Sequence, residues 1–122
     1  MSSPVVTATA SFLPAAVGDS VTLGPDTTPG VKQVVPNMLN APAGAIISVS
    51  TQKIHTSGGA YIETASSTTL SNPVTPAAAP SEGYQPIQPT EPEMSPFGYQ
   101  AVITWVSGTL PTSAVTFTLE SL

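Results

Sequence analysis

The chain has 122 residues and a mass of 12.3 kDa, enough for one domain and too little for two independent cores. Only 7% of it is charged, the formal net charge is -5, and its only Lys or Arg residues are Lys32 and Lys53. Nucleic-acid affinity comes largely from Lys and Arg displacing counterions from phosphates, so direct DNA or RNA binding is excluded as a function class. Apolar runs such as residues 34–35, 45–47 and 77–79 are at most three residues long, far short of the roughly 18 residues that cross a bilayer, and no transmembrane segment is expected. With no cysteine there are no disulfides, thiolate nucleophiles or thiolate metal sites. The 25 Val, Leu and Ile residues and a mean hydropathy of +0.21 oppose the low-hydrophobicity, high-charge signature of disorder, and a folded chain is expected.

Along the chain, Thr, Val, Ser, Gly and Pro disfavour helix, while short period-two runs recur. The first half offers strands at 5–12, 20–23 and 31–35, separated by Pro/Gly-containing links at 14–19 and 24–30. Residues 36–42 have room for one turn of helix around Met38 and Leu39. Residues 45–54 are rich in β-branched side chains, 55–59 supply turn residues, and 60–65 return with Tyr61 and Ile62, which predicts a hairpin. Residues 99–106 are apolar on both faces, as in a central strand. Residues 113–121 set Val115, Phe117 and Leu119 on one face against Thr116, Thr118 and Glu120 on the other. Their short Gly/Pro link predicts a second hairpin at the C-terminus. About seven strands at this spacing predict an all-β domain over residues 1–122, a small antiparallel β-sandwich or barrel.

Residues 72–96 stand apart. They hold seven prolines, and Pro86, Pro89 and Pro92 recur every third residue, the spacing of one edge of a polyproline II helix. At about 3.1 Å per residue, ten such residues reach roughly 30 Å, comparable to the width of the domain. The segment reads either as a surface loop or as an extended arm. Tyr84, Ile87, Met94 and Phe97, spread through or beside it, favour docking on a neighbouring surface and are the candidate partner-binding residues.

Residues able to carry chemistry are few. His55 is the only histidine, beside Ser57 in a turn, and no G-x-S-x-G elbow supplies a nucleophile, so it reads as a hairpin-tip residue. One histidine and no cysteine cannot fill a tetrahedral zinc site. Glu91 with Glu93, and Asp19 with Asp26, are the carboxylates available to a hard cation, but no calcium-loop spacing accompanies them and they read as solvated loop charges. Trp105, Tyr99 and Phe117 read as core, or alternatively as the wall of a pocket. No catalytic site, metal or cofactor is expected. The apolar content leans on Ala and Val, which bury little area each, and the nearly charge-free surface offers little desolvation cost to contact, so self-association follows.

The Met1-Ser2-Ser3-Pro4 start without a secretory leader, the absence of cysteine, the Thr/Ser/Val/Ala-rich strands such as Ala114-Val115-Thr116-Phe117-Thr118-Leu119, and the proline-rich residues 72–96 together resemble a small tailed-bacteriophage virion protein of the capsid decoration or cement kind. The resemblance is compositional and spans the whole chain. It implies a small β-rich, non-enzymatic structural protein of the virion, made in the host cytoplasm and associated with other copies as a homo-oligomer, most simply a trimer. It also implies that residues 72–96 and 2–6 reach the major capsid protein or another virion protein. A tail, neck or fibre component shares the same composition. A cell-surface adhesion or carbohydrate-binding sandwich, with Trp105 and the loop acids as ligand groups, is the other alternative.

Overall fold

The computed structural model describes residues 5–27, 32–37, 40–42, 44–58, 62–71 and 97–121. They form seven strands in two antiparallel sheets and, among the described residues, no helix: β1 (Val5–Phe12), β2 (Ser20–Asp26), β3 (Lys32–Asn37), β4 (Ile46–Ile54), β5 (Ile62–Ser71), β6 (Tyr99–Ser107) and β7 (Val115–Ser121). One sheet has the order β1-β7-β3 and the other β2-β6-β4-β5, an arrangement consistent with a small β-sandwich. The expected helical turn at Met38 and Leu39 and the segment 72–96 lie outside the described residues.

Alternation decides which residues are inside. On β4, Ile47, Val49, Thr51 and Lys53 are buried while Ile46, Ser48, Ser50 and Gln52 are half-buried. On β6 the buried row is Tyr99, Ala101, Ile103 and Trp105, and on β7 it is Val115, Phe117 and Leu119. These rows meet Phe12, Leu23 and Val34 in one cluster. Trp105 lies at its centre, with the Phe12 ring edge-on to the indole at 6.3 Å and 66°. This is the aromatic geometry that the ring quadrupoles favour.

The β4–β5 hairpin forms as expected, but β5 continues to Ser71 rather than stopping at residue 65. Likewise β2 runs on to Asp26, through a register break at Gly24 and Pro25. The second expected hairpin does not form. β6 pairs with β2 and β4, and β7 pairs with β1 and β3, so the two strands belong to different sheets. The physical reason is that a strand has only two edges, and both are already taken on β6 and on β7. Their apolar rows therefore face each other across the core instead of lying side by side. The link leaves β6 at Gly108 (φ +98°), packed beside the start of β4 in the same sheet, where a Cβ would come within 2.8 Å of the Ala45 Cα.

Candidate functional site

The register gathers charged groups at one end of the sandwich. Asp26 on β2 and Lys53 on β4 are each the cross-strand partner of Tyr99 on β6, so the three form a row over three adjacent strands, and all are buried. Lys32 arrives from the opposite sheet at 1% exposure, its Nζ 2.9 Å from Asp26 Oδ2, and donates to Ser121 Oγ at 3.2 Å. Gln33 Nε2 donates to Glu120 Oε1 at 2.8 Å beside it, and Gln100 Nε2 donates to Gln52 Oε1 at 2.8 Å. Removing two charges from water costs several kcal/mol per ion, and only close, hydrogen-bonded geometry offsets it, which the Lys32 contacts supply.

Gly98 makes this packing possible. Its φ is +112°, and a Cβ there would fall on the Asp26 carbonyl oxygen and 2.7 Å from the Thr27 Cα, while its own carbonyl accepts from Ile54 N at 3.0 Å. Only a residue without a side chain lets the start of β6 lie this close to the end of β2.

Within the cluster a cavity of about 10 Å³, lined by Lys32, Gln33, Thr51, Tyr99 and Gln100 among others, matches one water molecule and is far too small for an organic ligand. Among the described residues no three His, Cys, Asp or Glu side chains group as a metal centre would require. The Lys32–Asp26 ion pair therefore cross-links the two sheets, while the side-chain hydrogen bonds around it tie neighbouring strands within each sheet.

The other candidates separate. Asp19 is a turn residue whose Oδ2 accepts from the amides of Ala15 at 2.9 Å and Ala16 at 3.2 Å, an assignment its loop position allowed. Asp26 corrects the expectation of a solvated loop acid, because β2 extends to include it and folds it inward. His55 stands at the hairpin tip with Nε2 3.1 Å from Glu63 Oε1, both groups well exposed, so it ties the end of β4 to the start of β5. Trp105, fully buried, is core and not a ligand group, which removes the aromatic on which a carbohydrate-binding reading depended. Phe97 is half-buried beside Gly98, at the polar end. Tyr84, Ile87, Met94, Glu91 and Glu93 lie outside the described residues.

Sequence reading missed the buried lysines, although a signal was present. Lys32 is in phase with Val34, and Lys53 with Ile47, Val49 and Thr51, on the rows that turn out to face the core. With both lysines withdrawn, the described exterior carries Asp19, Glu63 and Glu120 as its carboxylates and no lysine. Amine-directed acylation of the native protein should therefore leave Lys32 and Lys53 unmodified under conditions that label both after denaturation. Peptide mapping by mass spectrometry checks this, and equal labelling of the folded protein would place the lysines at the surface.

The outer faces of both sheets bear mainly hydroxyls and little charge, Glu120 standing at one end of the β1-β7-β3 face. One carries Ser48, Ser50, Gln52, Ser67, Thr69, Gln100 and Thr104, with Ser50 Oγ 3.2 Å from Ser67 Oγ. The other carries Thr9, Ser11, Thr116 and Thr118. Exposed apolar side chains stand toward the ends: Val5 and Val6 at the start of β1, and Leu13, Val17 and Val106 at the opposite end. Together these features define a class: an all-β, two-sheet protein with its lysines buried and its faces nearly uncharged. The chain matches no known family, no curated protein and no solved structure, so a functional reading is built from its own chemistry.

Proposed function

We propose that this chain is a non-enzymatic structural protein of a virus particle, of the capsid decoration kind, which binds other virion subunits and other copies of itself. The observation that carries the reading is the exterior: nearly uncharged Ser/Thr-bearing faces, no lysine at the described surface, and exposed Val and Leu side chains toward both ends. Such a surface loses little favourable hydration when covered, because few charges have to be stripped of water. These valines and leucine are 45–62% exposed, so covering each on a partner contributes roughly 1 kcal/mol, about half the value for a fully exposed side chain, before ordering costs. Residues 72–96 supply further apolar groups, Tyr84, Ile87 and Met94, on a segment whose seven prolines lower the entropy lost on binding.

The test is occupancy on purified particles at matched protein concentration. The wild-type chain is expected in regular stoichiometry with the major capsid protein. A chain in which residues 76–94 are replaced by a short Gly-Ser linker is expected to fold and to bind about tenfold more weakly or worse. Absence of the wild-type chain from particles sinks the reading. Equal occupancy of the two chains moves the attachment to the exposed end residues, and a copy number fitting a tail or neck ring moves the protein off the shell.

A further inference from the structure

Among the described residues the two sheets have four edge strands: β1 and β3 on one, β2 and β5 on the other. An edge strand presents a row of backbone N–H and C=O groups that templates pairing with another strand, and proteins blunt such edges with proline, lysine or a bulge. Three of the four are blunted here. β2 breaks register at Gly24 and Pro25, β3 contains Pro36, and β1 has a bulge at Thr7, whose hydroxyl donates to the Leu119 carbonyl at 3.1 Å. β5 is different. At ten residues it is the longest of the seven strands, it contains neither proline nor lysine, and Glu63 is its only charge. Its single irregularity, the extra residue Ala65, leaves residues 66–71 in unbroken register with β4. Among the described residues β4 is its only strand partner.

We propose that β5 is the seam through which two copies of this chain join, edge to edge and antiparallel, into one continuous eight-stranded sheet. The occupant follows from backbone chemistry. A β-ladder draws on an amide at every second residue, and within residues 72–96 prolines at 73, 76, 80, 86, 89, 92 and 96 leave no proline-free window longer than 81–85, so that segment is a poor ladder partner. The β5 of a second copy is free of proline throughout. A two-fold axis perpendicular to the sheet sets outer-face residues opposite outer-face residues, so Ser67 and Thr69 of each copy meet small neutral side chains of the other. The two Glu63 residues fall at opposite ends of the paired run, and no like charges meet. This deepens the self-association part of the reading above and rests on it.

Sedimentation of the full chain at tens of micromolar should give a particle of twice 12.3 kDa. Ser67 and Thr69 are exposed, so lysines there leave the fold intact while placing like charges across the seam in any register centred on residues 67–69. The double variant Ser67→Lys with Thr69→Lys should weaken dimerisation by at least about tenfold with an unchanged circular dichroism spectrum. Mixing it with Ser67→Glu with Thr69→Glu should restore the dimer. A wild-type monomer at these concentrations overturns both the seam and self-association in solution. A dimer or trimer indifferent to the lysines overturns the seam alone and leaves the self-association reading standing.

Discussion

Lys32→Met should lower the free energy of unfolding by about 3–5 kcal/mol, because it leaves the Asp26 carboxylate in a buried site without its ammonium partner. The pair is 2.9 Å apart, with side chains 2% and 5% exposed, so water cannot take over from the missing partner without opening the end of the sandwich. Asp26→Asn, which leaves the ammonium without its counter-charge, should cost a comparable amount. The double variant Asp26→Leu with Lys32→Met should recover most of the loss, since an apolar pair of similar volume is often as stable as the ion pair it replaces. Denaturant melts followed by far-UV circular dichroism measure all of these. A Lys32→Met protein within about 1 kcal/mol of wild type would mean that the pair is solvated as surface pairs are. Domains of this kind are stable by only about 5–15 kcal/mol, so either single variant should also raise the unfolded population measurably at ordinary temperature.

Trp105→Ala should be as severe, at about 3–5 kcal/mol, through the cavity left between the sheets. The indole is fully buried, contacts Phe12 edge-on, and sits on the one strand hydrogen-bonded to both β2 and β4. Its Nε1 has no hydrogen-bond acceptor among the described residues, which carries an unusual corollary. Trp105→Phe removes a buried donor that gains nothing from the fold, so its cost should be under half that of the alanine variant, limited to the lost ring volume. If phenylalanine proves as damaging as alanine, the N–H has a partner that the packing does not display. Circular dichroism is again the right probe, since both substitutions remove the chain's only tryptophan fluorophore.

Strand existence was legible because its signal is local. The row Val115, Phe117, Leu119 can be read from nine consecutive residues, and the same holds for β1, β4 and β6. Where the local signal faded, the reading stopped early. β5 was expected to end at residue 65 because Ser66, Ser67, Thr68 and Thr69 show no apolar alternation. A strand does not need that alternation to form, since its ladder with β4 runs through backbone groups whatever the side chains. Gly24 and Pro25 look like loop punctuation after Leu23, whereas in the structure they are a register break within a strand that continues to Asp26.

The residues that could bear on function divide along the same line. Composition by itself determined that charge is scarce, that only two lysines and no arginine are available to meet phosphates, that there is no thiol, and that one tryptophan and a few other aromatics are all the ring area the core can draw on, because these follow from residue counts without any geometry. Pairing required the tertiary structure. The apolar patterns of β6 and β7 are compatible with side-by-side pairing or with opposition across a core, and the choice is made only when β1, β2, β3 and β4 occupy their edges. Lys32 and Asp26 are six positions apart in a stretch rich in proline and glycine and look like independent solvated charges. They meet because β2 and β3 lie in opposite sheets whose ends converge, where Gly98 lets the start of β6 approach Asp26. Lys32 and Lys53 are in phase with the apolar rows, but only the tertiary structure sets Asp26 of the opposing sheet and Ser121 of neighbouring β7 at hydrogen-bonding distance from the Lys32 ammonium, the close contacts that offset the cost of burying it.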